Sequence, residues 1–140
     1  MALELVDVSL VMNSLIAVGM GALIGLEREH HKEYKNVIAG VRTFPLTSLS
    51  GVIFSFLATE MSIPLVEIGI VIFGGFALVL AYLKYEVHTI GITTPVAFFI
   101  TFILGIMVQQ GFVFEAAFIT ILTTALLLTK ERLHNLARGI

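Results

Sequence analysis

The chain has no cysteine and no tryptophan, and only 13% of its 140 residues are charged. Without cysteine there is no disulfide framework and no thiolate chemistry, although this says nothing about redox compartment. Without tryptophan, any aromatic belt at a membrane surface must rest on Tyr and Phe. Charge is about half the ~25% of ordinary soluble domains. What fills the gap is apolar: 58% of residues are hydrophobic and the mean hydropathy is +1.03. A soluble domain of this size must cover its surface with polar groups, and this chain has too few. A net charge of −2 gives no global basic field to attract nucleic acid. Soluble enzymes, nucleic-acid binders and disordered linkers are therefore excluded, and the chain belongs in a bilayer.

A bilayer crossing needs roughly 17–25 predominantly apolar residues. Five runs meet this: Val8–Leu26, Thr43–Thr59, Ile63–Leu83, Thr93–Gln109 and Phe112–Thr129. What remains is short loops and ends, so residues 1–140 read as a single domain. The fold class is all-α, an integral membrane bundle of five transmembrane helices. The three prolines, Pro45, Pro64 and Pro95, are predicted to fall in first turns, where a missing N–H is harmless. The acidic flank before the first run (Glu4, Asp7) argues against a cleavable signal peptide.

All eight Lys and Arg residues follow runs one, three and five: Arg28, Lys32, Lys35 and Arg42; Lys84; Lys130, Arg132 and Arg138. Five alternating crossings put all of them on one side. The positive-inside rule makes that side cytoplasmic, with the N-terminus outside and the C-terminus inside. A re-entrant hairpin formed by runs four and five, joined by Gln110-Gly111, would give the same charge count. So would one formed by runs two and three. Full crossings are favoured because each run is long enough with modest bilayer thinning.

At about 100° per residue, small and hydroxylic residues gather on narrow arcs. Ser14, Ala17, Gly21, Gly25 and Arg28 share one in run one, where Gly21 and Gly25 make a GxxxG step that permits close helix approach. Thr43, Thr47, Ser50, Gly51 and Ala58 share one in run two. Glu67, Gly74 and Tyr82 line up in run three, beside Gly75. Thr94, Ala97, Thr101, Gly105 and Gln109 align in run four. These arcs are expected to face the bundle interior, as plain helix packing or as a polar path, with Leu, Ile, Val and Phe toward lipid.

Three polar clusters are candidates for function. Glu27, Arg28, Arg42, Thr43, Thr93 and Thr94 come from three distant stretches that the topology brings to one cytoplasmic face. Arg42 is the expected centre, because its planar fork can bind a carboxylate, with Glu27 as its partner. Interfacial anchoring is the plainer reading of the same residues. The loop Glu27–Glu33, with His30 and His31, invites a metal reading. Interleaved Arg and Lys argue instead for a solvated helix extension. On the outer side, Glu67 and Glu115 lie about a turn inside their runs and could attract cations at a pore mouth, or be water-exposed carboxylates.

The runs GMGALIGLERE (Gly19–Glu29), AGVRTFPLTSLSG (Ala39–Gly51) and GITTPVAFFITFILG (Gly91–Gly105) resemble the MgtC/SapB membrane protein family. There a glycine-rich first helix ends in an Glu-Arg pair, here Glu27-Arg28. A GxRT motif opens the second helix, here Gly40, Arg42 and Thr43, and a Thr-Thr motif opens the fourth, here Thr93-Thr94. The closing LTKERLH also fits. The third helix departs: of the family's glycine-rich run only Gly74-Gly75 remains. The soluble C-terminal domain of better-known members is expected to be missing, which makes this the compact form.

The resemblance implies a multi-pass inner-membrane protein linked to growth in low magnesium. One function is then an oligomeric cation transporter or channel, with Mg2+ as the expected ion and a dimer as the simplest homo-oligomer. The alternative is a non-transporting regulator that docks a membrane complex such as ATP synthase. An intramembrane enzyme is the weakest reading, since no nucleophile–base pair and no HExxH spacing appear. Membrane lipid is the one certain partner class, and no cofactor is called for.

Overall fold

The structure, a computed structural model, describes residues 2–30, 42–86 and 93–139, with side chains over 8–27, 42–83 and 95–129. Five helices follow in order: α1 (Ala2–His30), α2 (Thr43–Met61), α3 (Leu65–Glu86), α4 (Thr93–Gln109) and α5 (Val113–Gly139). The described residues contain no strand. Long apolar runs without central Pro leave the backbone only one way to satisfy its polar groups in lipid, within a helix. Three helical stretches are long and apolar enough to cross a membrane: Val8–Glu27, Thr43–Met61 and Leu65–Leu83. The apolar stretches of α4 and α5, Pro95–Gln109 and Val113–Thr129, are shorter.

The breaks follow local chemistry. Ser62 ends α2 in the left-handed region, at φ 53°. Pro64 stands just before α3 rather than inside its first turn, and its carbonyl accepts from Ile68 N at 3.2 Å. Gly111, at φ 98°, lets Phe112 N return to Met107 O at 2.9 Å, so α4 turns into α5 within a few residues. Positive φ costs glycine nothing and other residues about 1 kcal/mol or more.

Helices successive in the chain alternate in direction. Gly21 of α1 lies on Phe44 and Pro45 at the start of α2, while Asn13 near the other end of α1 bonds Gln109 at the end of α4. Hence α1 is antiparallel to both, and α2 and α4 are parallel. The helix α4 is central, packing on α1, α2, α3 and α5; among the described residues α3 and α5 do not touch.

Two kinds of contact fill the bundle. The triangle α1–α2–α4 is held by small residues. The wedge between α2, α3 and α4 is aromatic: the Phe73 and Phe102 rings stack at 4.2 Å and 9°, and Phe54 meets both edge-on. Gly69 leaves room for these rings, since a Cβ there would come within 2.5 Å of Phe54 and 2.8 Å of Phe102. It is the buried residue of α3 among its described side chains.

This corrects the expected facing of run three. Glu67, Gly75 and Tyr82 are exposed and Gly74 only half-buried. Aromatic area, not small size, decides which face of α3 turns inward. Shape complementarity around Phe73 is worth more than the close approach that Gly74 would permit. The phenylalanines divide accordingly: Phe44, Phe98 and Phe102 are core residues, whereas Phe114 is 90% exposed.

Candidate functional site

At the centre of the triangle, α2 and α4 meet backbone to backbone. A Cβ added at Gly105 would strike the Ser48 carbonyl and lie 3.1 Å from Gly51 Cα. One added at Gly51 would strike the Phe102 carbonyl and lie 2.9 Å from Ile106 N. A Cβ on Gly21 would come within 2.7 Å of Pro45 Cα. Gly25 is also buried. At Gly21, Gly51 and Gly105 the helices close directly on one another.

The hydroxyls around this crossing are mostly turned to their own helices. Thr47 donates to Thr43 O at 2.7 Å and Thr101 to Ala97 O at 2.7 Å. In α5, Thr120 donates to Ala116 O at 2.8 Å. A hydroxyl that donates to the preceding turn costs little in lipid, because its donor is already satisfied. Ser48 differs: its Oγ is fully buried and has no hydrogen-bond partner.

Toward the end where α4 turns into α5, two amides tie that turn down. Asn13 donates from Nδ2 to Gln109 Oε1 at 2.9 Å, joining α1 to α4. Gln110 donates from Nε2 to Ser55 Oγ at 2.8 Å, joining the turn to α2. Beyond Ser55, α2 runs on to Met61, about 9 Å further at 1.5 Å per residue. The α4–α5 turn therefore sits below the α2–α3 turn. Sequence reasoning passed over Asn13 and Ser55. An Asn inside an apolar run is the signal that would have found the first, because polar side chains in such runs bond across helices.

At the opposite end, Glu27 is buried, 7% exposed, near the end of α1. Arg42 caps α2 with its backbone and is exposed, and Thr43 is half-buried. So the carboxylate, not the guanidinium, is the interior member of that cluster. The side chains of Arg28, Thr93 and Thr94, and the His30–His31 loop, lie outside the described side chains. The carboxylates Glu60, Glu67 and Glu115 are exposed and form no compact group: the described residues hold no cluster of three His, Asp or Glu suited to a metal ion.

Comparison with known proteins adds one finding. No curated protein and no solved structure matches the chain. A protein-family model described as the MgtC family matches residues 15–136, from the first glycine-rich helix through the last. With that match over most of its length, the chain belongs to the MgtC family, membrane proteins tied to magnesium homeostasis.

Proposed function

We propose that the protein crosses the inner membrane five times and serves magnesium homeostasis as a non-conducting regulator, docking another membrane protein through its outer helix faces. The observation that carries this reading is the closed α2–α4 crossing. Ser48, Gly51 and Gly105 bring two backbones into contact at mid-helix, which leaves no room for a hydrated cation between them. Thr47 and Thr101, beside the crossing, donate to their own helices rather than into a shared polar path. By contrast α3 and α5 turn large apolar side chains outward, among them Val71, Leu78, Phe114 and Leu126. The alternating helix directions and the one-sided Lys and Arg residues support five crossings with a cytoplasmic C-terminus.

A second reading is a cation path between copies of a homodimer. The exposed Glu60, Glu67 and Glu115 favour it, because carboxylates at a mouth concentrate cations. Purified protein in proteoliposomes loaded with a Mg2+-sensitive dye separates the two. The first reading expects influx equal to that of protein-free vesicles across a tenfold Mg2+ gradient. Saturable influx that Glu67→Gln or Glu115→Gln reduces would refute it in favour of the second.

A further inference from the structure

The helix α5 is continuous from Val113 to Gly139, which makes it about 40 Å long. The hydrocarbon core of a bilayer is only ~30 Å thick, and after Glu115 in the first turn of α5 the next charged residue is Lys130. Its last third must therefore go somewhere other than the hydrocarbon. The register of the helix says where.

Two seams run along α5. Ala116, Thr120, Thr123 and Leu127 are buried against the bundle. Continued at intervals of three and four, that seam passes between Lys130 and Glu131 and on through His134 and Arg138, and turns polar and charged. The other seam carries the exposed Phe118, Leu122 and Leu126. Continued in the same way, it passes through Leu133, Leu136 and Ala137 and stays apolar. A helix leaving the membrane for water would lose its apolar seam at the same level on every side. Here the outward seam persists two turns beyond the inward one.

Lys130 and Arg132 stand on either side of that persistent seam, each about 70–90° from its middle at 100° per residue. Glu131, Asn135 and Arg138 stand across from it. Apolar seam, flanking cations and polar crest are the arrangement of a helix lying in an interface, where long basic side chains reach phosphates from beside the buried arc.

We propose that residues Lys130–Gly139 form an interfacial segment that binds the anionic lipid surface of the inner leaflet, with α5 tilted so that Leu133, Leu136 and Ala137 enter the acyl boundary. The segment holds three cations against one carboxylate, Glu131, and the cytoplasmic leaflet is the negatively charged one. A tilt also accommodates a hydrophobic stretch that is longer on one face than the bilayer is thick. The inference rests on the proposed orientation, with the C-terminus cytoplasmic.

The absence of cysteine makes the test clean. Single cysteines at each position from Lys130 to Arg138 of the full chain are spin-labelled and placed in nanodiscs of phosphatidylcholine, with or without one-third phosphatidylglycerol. Oxygen accessibility is expected to peak at 133 and at 136–137, and a water-soluble nickel chelate at 131, 135 and 138, with the contrast growing several-fold in anionic discs. Replacing Lys130 and Arg132 together with Gln is expected to remove the dependence on lipid charge. Equal aqueous accessibility around the helix overturns the inference, and so does dipolar broadening at 133 that places a second copy on the seam. In sealed vesicles, an impermeant thiol reagent is applied to Ser62→Cys and His134→Cys. Labelling of both from one side overturns the membrane-crossing reading itself, and labelling from opposite sides leaves the accessibility pattern to decide the inference alone.

Discussion

Replacing Gly105 with Ala adds one methyl group at the point where α2 and α4 touch. The new Cβ would strike the Ser48 carbonyl oxygen and lie 2.9 Å from its carbon and 3.1 Å from Gly51 Cα. All three neighbours are backbone, so no side chain can swing aside. The helices must part by roughly 0.5–1 Å, and a gap of that size forfeits a quarter to a half of each dispersion contact it opens. Lipid supplies no hydrophobic drive to press the helices together again, since association there depends on packing. Overpacking of this kind costs typically 1–3 kcal/mol. Alanine's better helix propensity returns up to ~1 kcal/mol. The expected net loss is about 1–2 kcal/mol, close to a tenfold shift in the folding equilibrium.

The control is Gly75→Ala, in the middle of α3, where a Cβ meets nothing within 4 Å. Only the propensity gain applies there, so that variant is expected to be neutral or more stable by up to ~1 kcal/mol. Unfolding by SDS titration in mixed micelles, followed by circular dichroism, reads both variants on one scale. If Gly105→Ala unfolds at the same SDS fraction as Gly75→Ala, the backbone contact between α2 and α4 is not what holds the core.

Two further substitutions probe the ends of the bundle. Glu27→Ala removes a buried carboxylate and strands the groups that surround it, at about 1–3 kcal/mol. Arg42→Ala, at an exposed position, is expected to cost no more than ~1 kcal/mol; the same SDS titration ranks the two, and an Arg42 loss exceeding that of Glu27 contradicts the assignment of the carboxylate as the interior member. At the other end, a double-mutant cycle on Asn13→Ala and Gln109→Ala is expected to give a coupling of ~0.5–1.5 kcal/mol, the range of inter-helix hydrogen bonds in membranes. Additive losses would mean that the 2.9 Å bond carries no energy.

The α2–α4 crossing was legible in the sequence because a 3.6-residue period places Thr47 and Gly51, and Ala97, Thr101 and Gly105, on single arcs. Those arcs are the ones that touch. The same arithmetic on α3 drew an arc through Glu67, Gly74 and Tyr82, and that arc faces outward. Periodicity defines arcs but does not say which one turns inward when most of a helix is apolar all round. In α3 the choice belongs to Phe73 and its stacking on Phe102, a contact between positions 29 residues apart that no local pattern encodes. The bond from Gln110 to Ser55 was hidden for a related reason. Ser55 lies off the arc that the small residues of run two define, and its role depends on how far α4 reaches along α2. At the end of α1 the sequence ranked Glu27 and Arg42 by charge chemistry, whereas the structure buries Glu27 and exposes Arg42. Burial depends on how α1 packs on the start of α2, where Gly21 lies against Phe44 and Pro45, a relation between distant stretches that charge alone does not encode.

Accessibility of Ser48 to water is the most direct measure of the closed core. Ser48→Cys is nearly isosteric, and position 48 is fully buried where α2 meets Gly105 of α4. In native membranes a small, positively charged methanethiosulfonate reagent is applied to this variant from either side, with Ser62→Cys in the exposed α2–α3 turn as the reactive reference. No modification of position 48 is expected from either side over a time that fully modifies position 62. Modification of both at similar rates would mean that water and cations reach the centre of the bundle, and would contradict a non-conducting core.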